Sequence, residues 1–168
     1  ELPILVFFPG STIGNFEKPA AVQLLGQIRA AMPEATMLVG VDRPKAEDIL
    51  LEAYDDPAGI TAAFNQNLLQ RINRELGADF DLSSFAHRSV WNAGESRIEM
   101  HLESLADQTV SVAGETITFS KGETIHTENS HKYSEETFTE IAGQGGWRVL
   151  ERDTDPDDLF SVYSLQAT

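Results

Sequence analysis

The densest group of chemically capable side chains is the run His126-Thr127-Glu128-Asn129-Ser130-His131-Lys132-Tyr133. On a strand, alternate side chains share a face, so His126, Glu128 and Ser130 point to one side. A carboxylate and a hydroxyl at that spacing suit a ring with two nitrogens. Glu128 can accept from one N–H, and Ser130 can serve the other nitrogen. The same residues also fit an exposed polar strand edge, and spacing alone leaves both readings open. A metal site needs three or four converging ligands. His126, Glu128 and His131 could offer three, but His131 falls on the opposite strand face, so no metal is expected.

A second candidate is Gly10-Ser11-Thr12-Ile13-Gly14-Asn15, which follows an apolar strand at its carboxyl end, where α/β folds bind ligands. Gly10 and Gly14 permit close backbone approach, and Asn15 offers both a donor and an acceptor. The plainer reading is a strand-to-helix turn with Asn15 as the helix N-cap. The segment lacks the GxGxxG spacing of a dinucleotide fingerprint and the Lys-Ser/Thr pair of a phosphate-binding loop. Tyr54, at the end of a helical stretch, could hydrogen-bond a carboxylate, and Met100 lies on an alternating strand whose apolar face reads as core. No Gly-x-Ser-x-Gly elbow accompanies His87, His101, His126 or His131, so no Ser-His-Asp triad is expected.

These side chains are positioned by two kinds of pattern. Ile4–Phe8 is an unbroken apolar run, the reading of a strand buried on both faces. Lys18–Met32 carries apolar residues at helical spacing and stops at Pro33, and Thr36–Val41 is a second apolar strand. Strand, loop, helix, strand is a right-handed βαβ unit. The spacing then predicts helices over Pro44–Tyr54 and Pro57–Leu76, the second capped by Gly77. Alternation predicts antiparallel strands over His87–Trp91, Arg97–Leu105, Thr109–Val112, Thr116–Phe119 and Glu123–Thr127, with hairpin turns at Gly94 and Gly114. A helix over Ser134–Ala142 with Ser134 as N-cap, and strands over Trp147–Arg152 and Phe160–Leu165, complete the chain.

Composition narrows the functions. The 168 residues carry 12 Lys+Arg against 27 Asp+Glu, a net charge of −15, which argues against nucleic acid and anionic membranes as partners. Cysteine is absent, which removes disulfides, zinc thiolates and thiol nucleophiles. The apolar residues fall in patterned blocks that can form a core, and no apolar run approaches the roughly 20 residues of a membrane helix. A cytoplasmic setting is expected. The chain opens on Glu1-Leu2-Pro3 and runs straight into the first strand, so it reads as beginning partway through a domain.

Several segments together resemble the S-adenosylmethionine-dependent histidine Nα-methyltransferases of ergothioneine biosynthesis. They are Phe8–Phe16 (FPGSTIGNF), Ala53–Asn65 (AYDDPAGITAAFN), Asn73–Phe80 (NRELGADF), Trp91-Asn92, Ile98-Glu99-Met100 and Thr127–Tyr133 (TENSHKY). They run in the family's order along essentially the whole chain. The resemblance implies that Asn15 and the backbone at Gly10 hold the substrate's α-amino end. It implies that Tyr54 binds the α-carboxylate and that Glu128 and Ser130 bind the imidazole. Met100 would pack near the ring, and Thr61 and Phe64 would line the pocket. Asn129 stands where relatives often carry an aliphatic residue; a side chain facing away from the ligand would make that departure harmless.

The implied fold is α/β: the C-terminal half of a Rossmann-like class I methyltransferase sheet with an inserted α+β substrate-recognition domain. Residues 1–43 and 132–168 would form the partial sheet, and 44–131 the insert. Ile4–Phe8 would be the sheet's fourth strand, Thr36–Val41 its fifth, and the last two strands its closing antiparallel pair. S-adenosylmethionine is the implied co-substrate, yet the Gly-rich strand-turn and acidic ribose ligand that bind it in the family are absent from this chain. The catalytic base is likewise expected in a missing N-terminal part. The implied partners are histidine or a related amino acid and that missing half. A half-sheet exposes an edge and an apolar face, so a dimer through that edge is a further expectation. The competing readings are a non-catalytic amino-acid-binding or interaction module and a sister methyltransferase acting on another amino acid.

Overall fold

The computed structural model describes residues 3–168, and Glu1 and Leu2, on which the reading of the chain's start rests, lie outside the described residues. Contacts divide the chain into two compact units. One comprises residues 1–46, 93–97 and 129–168, the other residues 47–92 and 98–128.

The first unit is built on a four-stranded sheet. Strand β1 (Leu5–Phe8) leads through a 3-10 turn (Thr12–Asn15) to helix α1 (Lys18–Ala31) and then β2 (Thr36–Asp42), which pairs parallel to β1. This is the expected βαβ unit. Among the strands that follow, β8 (Trp147–Thr154) and β9 (Phe160–Ala167) are the last two, and the sheet order is β1-β2-β9-β8. Strand β9 is antiparallel to both of its neighbours, as expected for a closing pair. Met37, Val39 and Val41 of β2 meet Tyr163 and Leu165 of β9 in one core. Ala21 and Leu25 of α1, with Phe138, Ile141 and Ala142 of the later helix α4 (Glu135–Gln144), cover the same side. Trp147 anchors this layer by donating its indole N–H to the Leu25 carbonyl at 2.9 Å. Ser134 caps α4 by accepting from the Thr137 N–H, as its position predicted.

The first strand departs from its reading. Val6 and Phe8 pack on the core, whereas Leu5 is 58% and Phe7 70% exposed. An apolar run does not reveal how many layers will cover it. Here β1 lies at the end of the sheet order, and helices cover only the Val6/Phe8 side.

The second unit holds α2 (Glu47–Tyr54), α3 (Ile60–Leu76) and antiparallel strands. Both helices begin three residues later than their spacing predicted, for local reasons. Arg43 precedes Pro44 and is steered away from helical backbone, and Lys45 is drawn to Asp42 by an ion pair of 2.6 Å. At α3, the Asp56 carboxylate takes the N–H groups of Ile60 (3.0 Å) and Thr61 (2.8 Å), and Gly59 turns at φ 69°. Residues 57–59 therefore form a turn. Gly77 closes α3 in the left-handed conformation, as expected.

Strands β3 (Phe85–Asn92), β4 (Arg97–Ser104) and β7 (Thr124–His131) form one sheet, and β5 (Gln108–Val112) and β6 (Glu115–Phe119) form a hairpin. Its two-residue turn has positive φ at both Ala113 (51°) and Gly114 (89°), the backbone that a tight twisted hairpin demands. In the turn between β3 and β4 the positive φ falls on Ser96, not on Gly94. The unit's core is aromatic. Phe80, Phe85 and Phe119 meet mostly edge to face at centroid distances of 5.4 to 6.3 Å, with Leu69, Leu102 and Val110 around them.

Candidate functional site

The residues singled out from sequence fall in both units. Gly10, Asn15 and Ser130 belong to the first, and Tyr54, Thr61, Phe64, Met100 and Glu128 to the second.

In the first unit, Gly10 lies two residues past β1 with φ 71°, a backbone that suits glycine. Ser11 follows, also left-handed at φ 55°, and its buried hydroxyl accepts from the Asp42 N–H at 2.9 Å. Asn15 closes the 3-10 turn and is exposed. It does not cap α1, whose N-cap is Glu17. The turn is held against the end of β7 by close backbone approach. A Cβ on Gly14 would lie 2.7 Å from the His131 carbonyl oxygen, so only glycine fits there. Glu17 adds a polar tie, accepting from Arg97 Nη1 (2.8 Å) and from Asn129 Nδ2 (2.9 Å). Asn129 thus uses its amide on Glu17, one residue out of phase with Glu128 and Ser130.

Ser130 is buried, and Lys132 Nζ donates to its Oγ at 2.8 Å. Lys132 is itself fully buried, with its ammonium 2.7 Å from Asp42 Oδ2. Asp42 is the hub of this unit. Its N–H reaches Ser11, its carbonyl accepts from the Tyr133 N–H (2.9 Å), Oδ1 pairs with Lys45 (2.6 Å) and Oδ2 with Lys132. The Gly10–Asn15 loop and Ser130 are therefore joined through one residue, Asp42, by its main-chain N–H to Ser11 and its carboxylate to Lys132. Sequence reasoning missed both Asp42 and Lys132. The available signal was slight: an acid ending a core strand, and a lysine on the same strand phase as Ser130. Beside them, burial and then the nearby Glu17 carboxylate push the Tyr133 hydroxyl up to about 12.

In the second unit, Tyr54 ends α2, and its carbonyl accepts from His87 Nε2 at 2.8 Å. The buried Asn65 amide donates to His87 Nδ1 (2.9 Å) and to the His101 carbonyl (3.0 Å), so α3 fixes the histidine that fixes the end of α2. His87 carries its proton on Nε2 in this arrangement. Thr61 and Phe64 lie one turn apart on α3, where Phe64 is 63% exposed. Met100 is 4% exposed, buried with Ile98 and Leu102 on one side of β4, while Glu99 and His101 occupy the other.

Strand β7 runs four residues beyond its predicted end and takes in Glu128 and Ser130. Along it, Thr127 Oγ1 donates to the Met100 carbonyl at 2.9 Å. The side chains with metal-binding potential that converge are Glu99, His101 and His126, not the sequence trio His126, Glu128 and His131. His101 Nε2 is 3.3 Å from Glu99, Asn92 donates to Glu99 at 2.9 Å, and the His101 and His126 rings stack at 4.5 Å.

The start of α3 carries a testable electrostatic device. The N–H groups of Thr61 and Ile60 hold the Asp56 carboxyl at about 2, below its ordinary 3.8. A folded-state value below the unfolded one stabilises the fold above pH 4, and that contribution is lost as pH falls through 2. Asp56→Ala is expected to lower the urea midpoint at pH 7 and to flatten its fall between pH 4 and 2. Parallel curves for the two proteins would contradict this account.

A family model described as "Histidine-specific methyltransferase, SAM-dependent" matches residues 1–167. The chain belongs to that family. It is 42% identical over 161 residues to the histidine N-alpha-methyltransferase of Mycolicibacterium smegmatis, covering 94% of this chain and 50% of the relative. It is also 42% identical over 149 residues to the protein of that name from Mycobacterium tuberculosis, covering 86% and 46%. Ergothioneine biosynthesis protein 1 of Schizosaccharomyces pombe is 24% identical over 164 residues, covering 96% and 21%. The chain spans about half the length of the two mycobacterial methyltransferases. The sheet order and the closing antiparallel pair agree with the α/β fold that the resemblance implies. Among the described residues, no helix is long and apolar enough to cross a membrane.

Proposed function

We propose that this chain is the substrate-recognition side of a histidine Nα-methyltransferase, acting within a longer cytoplasmic protein. The observation that carries the reading is the continuation of β7 through Glu128 and Ser130, with the Ser130 hydroxyl held in place by Lys132. A carboxylate and an oriented hydroxyl two residues apart on one strand match the two nitrogens of an imidazole. Asn15 and the Gly10 backbone serve the α-amino group, and Tyr54 the α-carboxylate. Thr61 and Phe64 line the pocket, and Met100 packs near the imidazole.

The methyl donor belongs elsewhere in the protein. In βαβ units that bind a nucleoside, an acid ends the second strand and takes the ribose hydroxyls. Here both oxygens of that acid, Asp42, are engaged by Lys45 and Lys132, and the Gly14 turn is packed on His131. These residues do not fit S-adenosylmethionine. The donor supplies an activated sulfonium methyl. This chain's part is to hold the histidine amine as a neutral nucleophile at a fixed position and to exclude water from it. The Leu5/Phe7 face of β1 is where we place the donor-binding half, in preference to a second copy of this chain.

The test is a methyl-transfer assay of the full-length protein across the twenty amino acids, with products read by mass. Histidine is expected to be the preferred acceptor. Another preferred acceptor would point to the sister-enzyme reading, and binding without transfer to the non-catalytic module. Calorimetry should find no micromolar S-adenosylmethionine binding by residues 1–168 alone.

A further inference from the structure

We infer that Phe160 walls the amine subsite at the carboxyl edge of the sheet and fixes where the acceptor nitrogen sits, with Gly40 making the seat for its ring. The inference deepens the histidine reading and rests on it for the contact between the Gly10 backbone and the amine.

Gly40 brings the ring and the Gly10 loop together. A Cβ on Gly40 would lie 2.9 Å from Phe160 Cζ, 3.0 Å from Cε1 and 3.2 Å from the Gly10 nitrogen. The end of the ring and the Gly10 backbone therefore meet over a residue with no side chain to part them. All three residues belong to the first unit. Strand register fixes the face they share. Phe7 pairs with Leu38 and Leu38 with Ser164, Gly40 pairs with Val162, and Asp42 with Phe160. Paired residues share a face of a sheet, and so do alternate residues of one strand. Phe160 and the gap at Gly40 thus lie on the face of Leu5 and Phe7, at the carboxyl ends of β1 and β2. That is the end at which α/β sheets bind ligands. It is also the face to which the donor-binding half is assigned, so the ring stands on the side where donor and acceptor must meet.

The backbone of Phe160 is held from several directions. Its N–H donates to Asp155 Oδ2 at 2.7 Å, and its carbonyl accepts from Thr154 Oγ1 at 2.8 Å. Leu159 donates to the same Asp155 oxygen at 2.8 Å and accepts from the Arg43 N–H at 3.3 Å. Yet the ring stays partly exposed and is no part of the core that Met37, Val39 and Tyr163 form. A side chain fixed this closely outside the core suits a site that needs a rigid wall. Its chemistry defines the task. A phenyl ring has no hydrogen-bonding group with which to hold the amine. It can keep water from the nitrogen and limit the positions the nitrogen takes. It also tolerates the positive charge that the nitrogen gains on methylation, because aromatic rings attract cations.

The experiment measures steady-state methyl transfer to histidine by the full-length protein, with the urea midpoint of each variant as the control for folding. The variants are Phe160→Ala, the milder Phe160→Leu, Gly40→Ala, and Gly40→Ala combined with Phe160→Leu. Phe160→Ala should lower kcat about tenfold or more and change KM for histidine less than about twofold, because a displaced nitrogen is still bound but poorly aligned. Phe160→Leu should lose less than Phe160→Ala. Gly40→Ala must shift the ring or the Gly10 backbone and should lower kcat in the same way. The double variant should lose no more than its worse single variant, since both changes act through one ring. Wild-type kcat in folded Phe160→Ala, or a change confined to the urea midpoint, would overturn the inference alone and leave the ring a packing residue. Additive losses in the double variant would overturn the seat at Gly40. A wild-type protein that transfers no methyl to histidine would overturn the functional reading and the inference with it.

Discussion

Glu128→Ala in the full-length protein is expected to lower kcat/KM for histidine about 10- to 100-fold, with most of the change in KM. A hydrogen bond to a charged group contributes about 1.5–3 kcal/mol, and that range sets the size of the loss. The effect sits in KM because the imidazole lies at the far end of the substrate from the amine, so ground state and transition state lose the contact alike. Specificity should change with affinity. A site built to hydrogen-bond a substrate group discriminates strongly against analogues that lack it. Without the carboxylate, histidine should therefore lose ground against amino acids of similar size. Competition assays with an aliphatic and an aromatic amino acid read this ratio directly. Unchanged histidine affinity would remove Glu128 from the imidazole subsite.

The second large effect concerns stability. Asp42→Ala removes the carboxylate that pairs with the fully buried Lys132 ammonium and with Lys45. Breaking a buried pair by removing one partner costs about 3–5 kcal/mol, a large share of the 5–15 kcal/mol that holds a typical domain together. The variant should show a sharply lowered urea midpoint. The main-chain bonds of residue 42 to Ser11 and Tyr133 remain in this variant, so the loss falls on the side-chain pairs. Lys132→Met with Asp42→Asn should recover much of the loss, because replacing both charges removes the uncompensated one. A loss below about 1 kcal/mol in Asp42→Ala would contradict this account.

Much of the architecture could be read residue by residue. The βαβ unit followed from two apolar runs around a helical period, the Ser134 cap from a hydroxyl before Glu135-Glu136, and the close of α3 from Gly77. Each depends on contacts within a few residues, which a local pattern records. The misreadings share a different cause. Helix α3 was drawn three residues long because the Asp56 carboxylate reaches forward to Ile60 and Thr61 and converts Pro57–Gly59 to a turn. Strand β7 extends past Thr127 because its polar residues Thr127 and Asn129 find partners on other segments, which a local pattern does not record. The metal trio drawn from one strand gave way to Glu99, His101 and His126, two of them from the neighbouring strand.

By itself, the amino-acid order determined the family, the fold class, and the two-residue spacing of Glu128 and Ser130, because these rest on local periodicity and on motifs that keep their order along the chain. Only the tertiary structure decided that Leu5 and Phe7 stay exposed, since an apolar side chain does not encode which layer will cover it. Only the tertiary structure joined Asp42 to Lys132, 90 positions apart in the chain. A charge cannot stay buried without a partner, and folding brought that partner from the end of another strand to the lysine that holds Ser130.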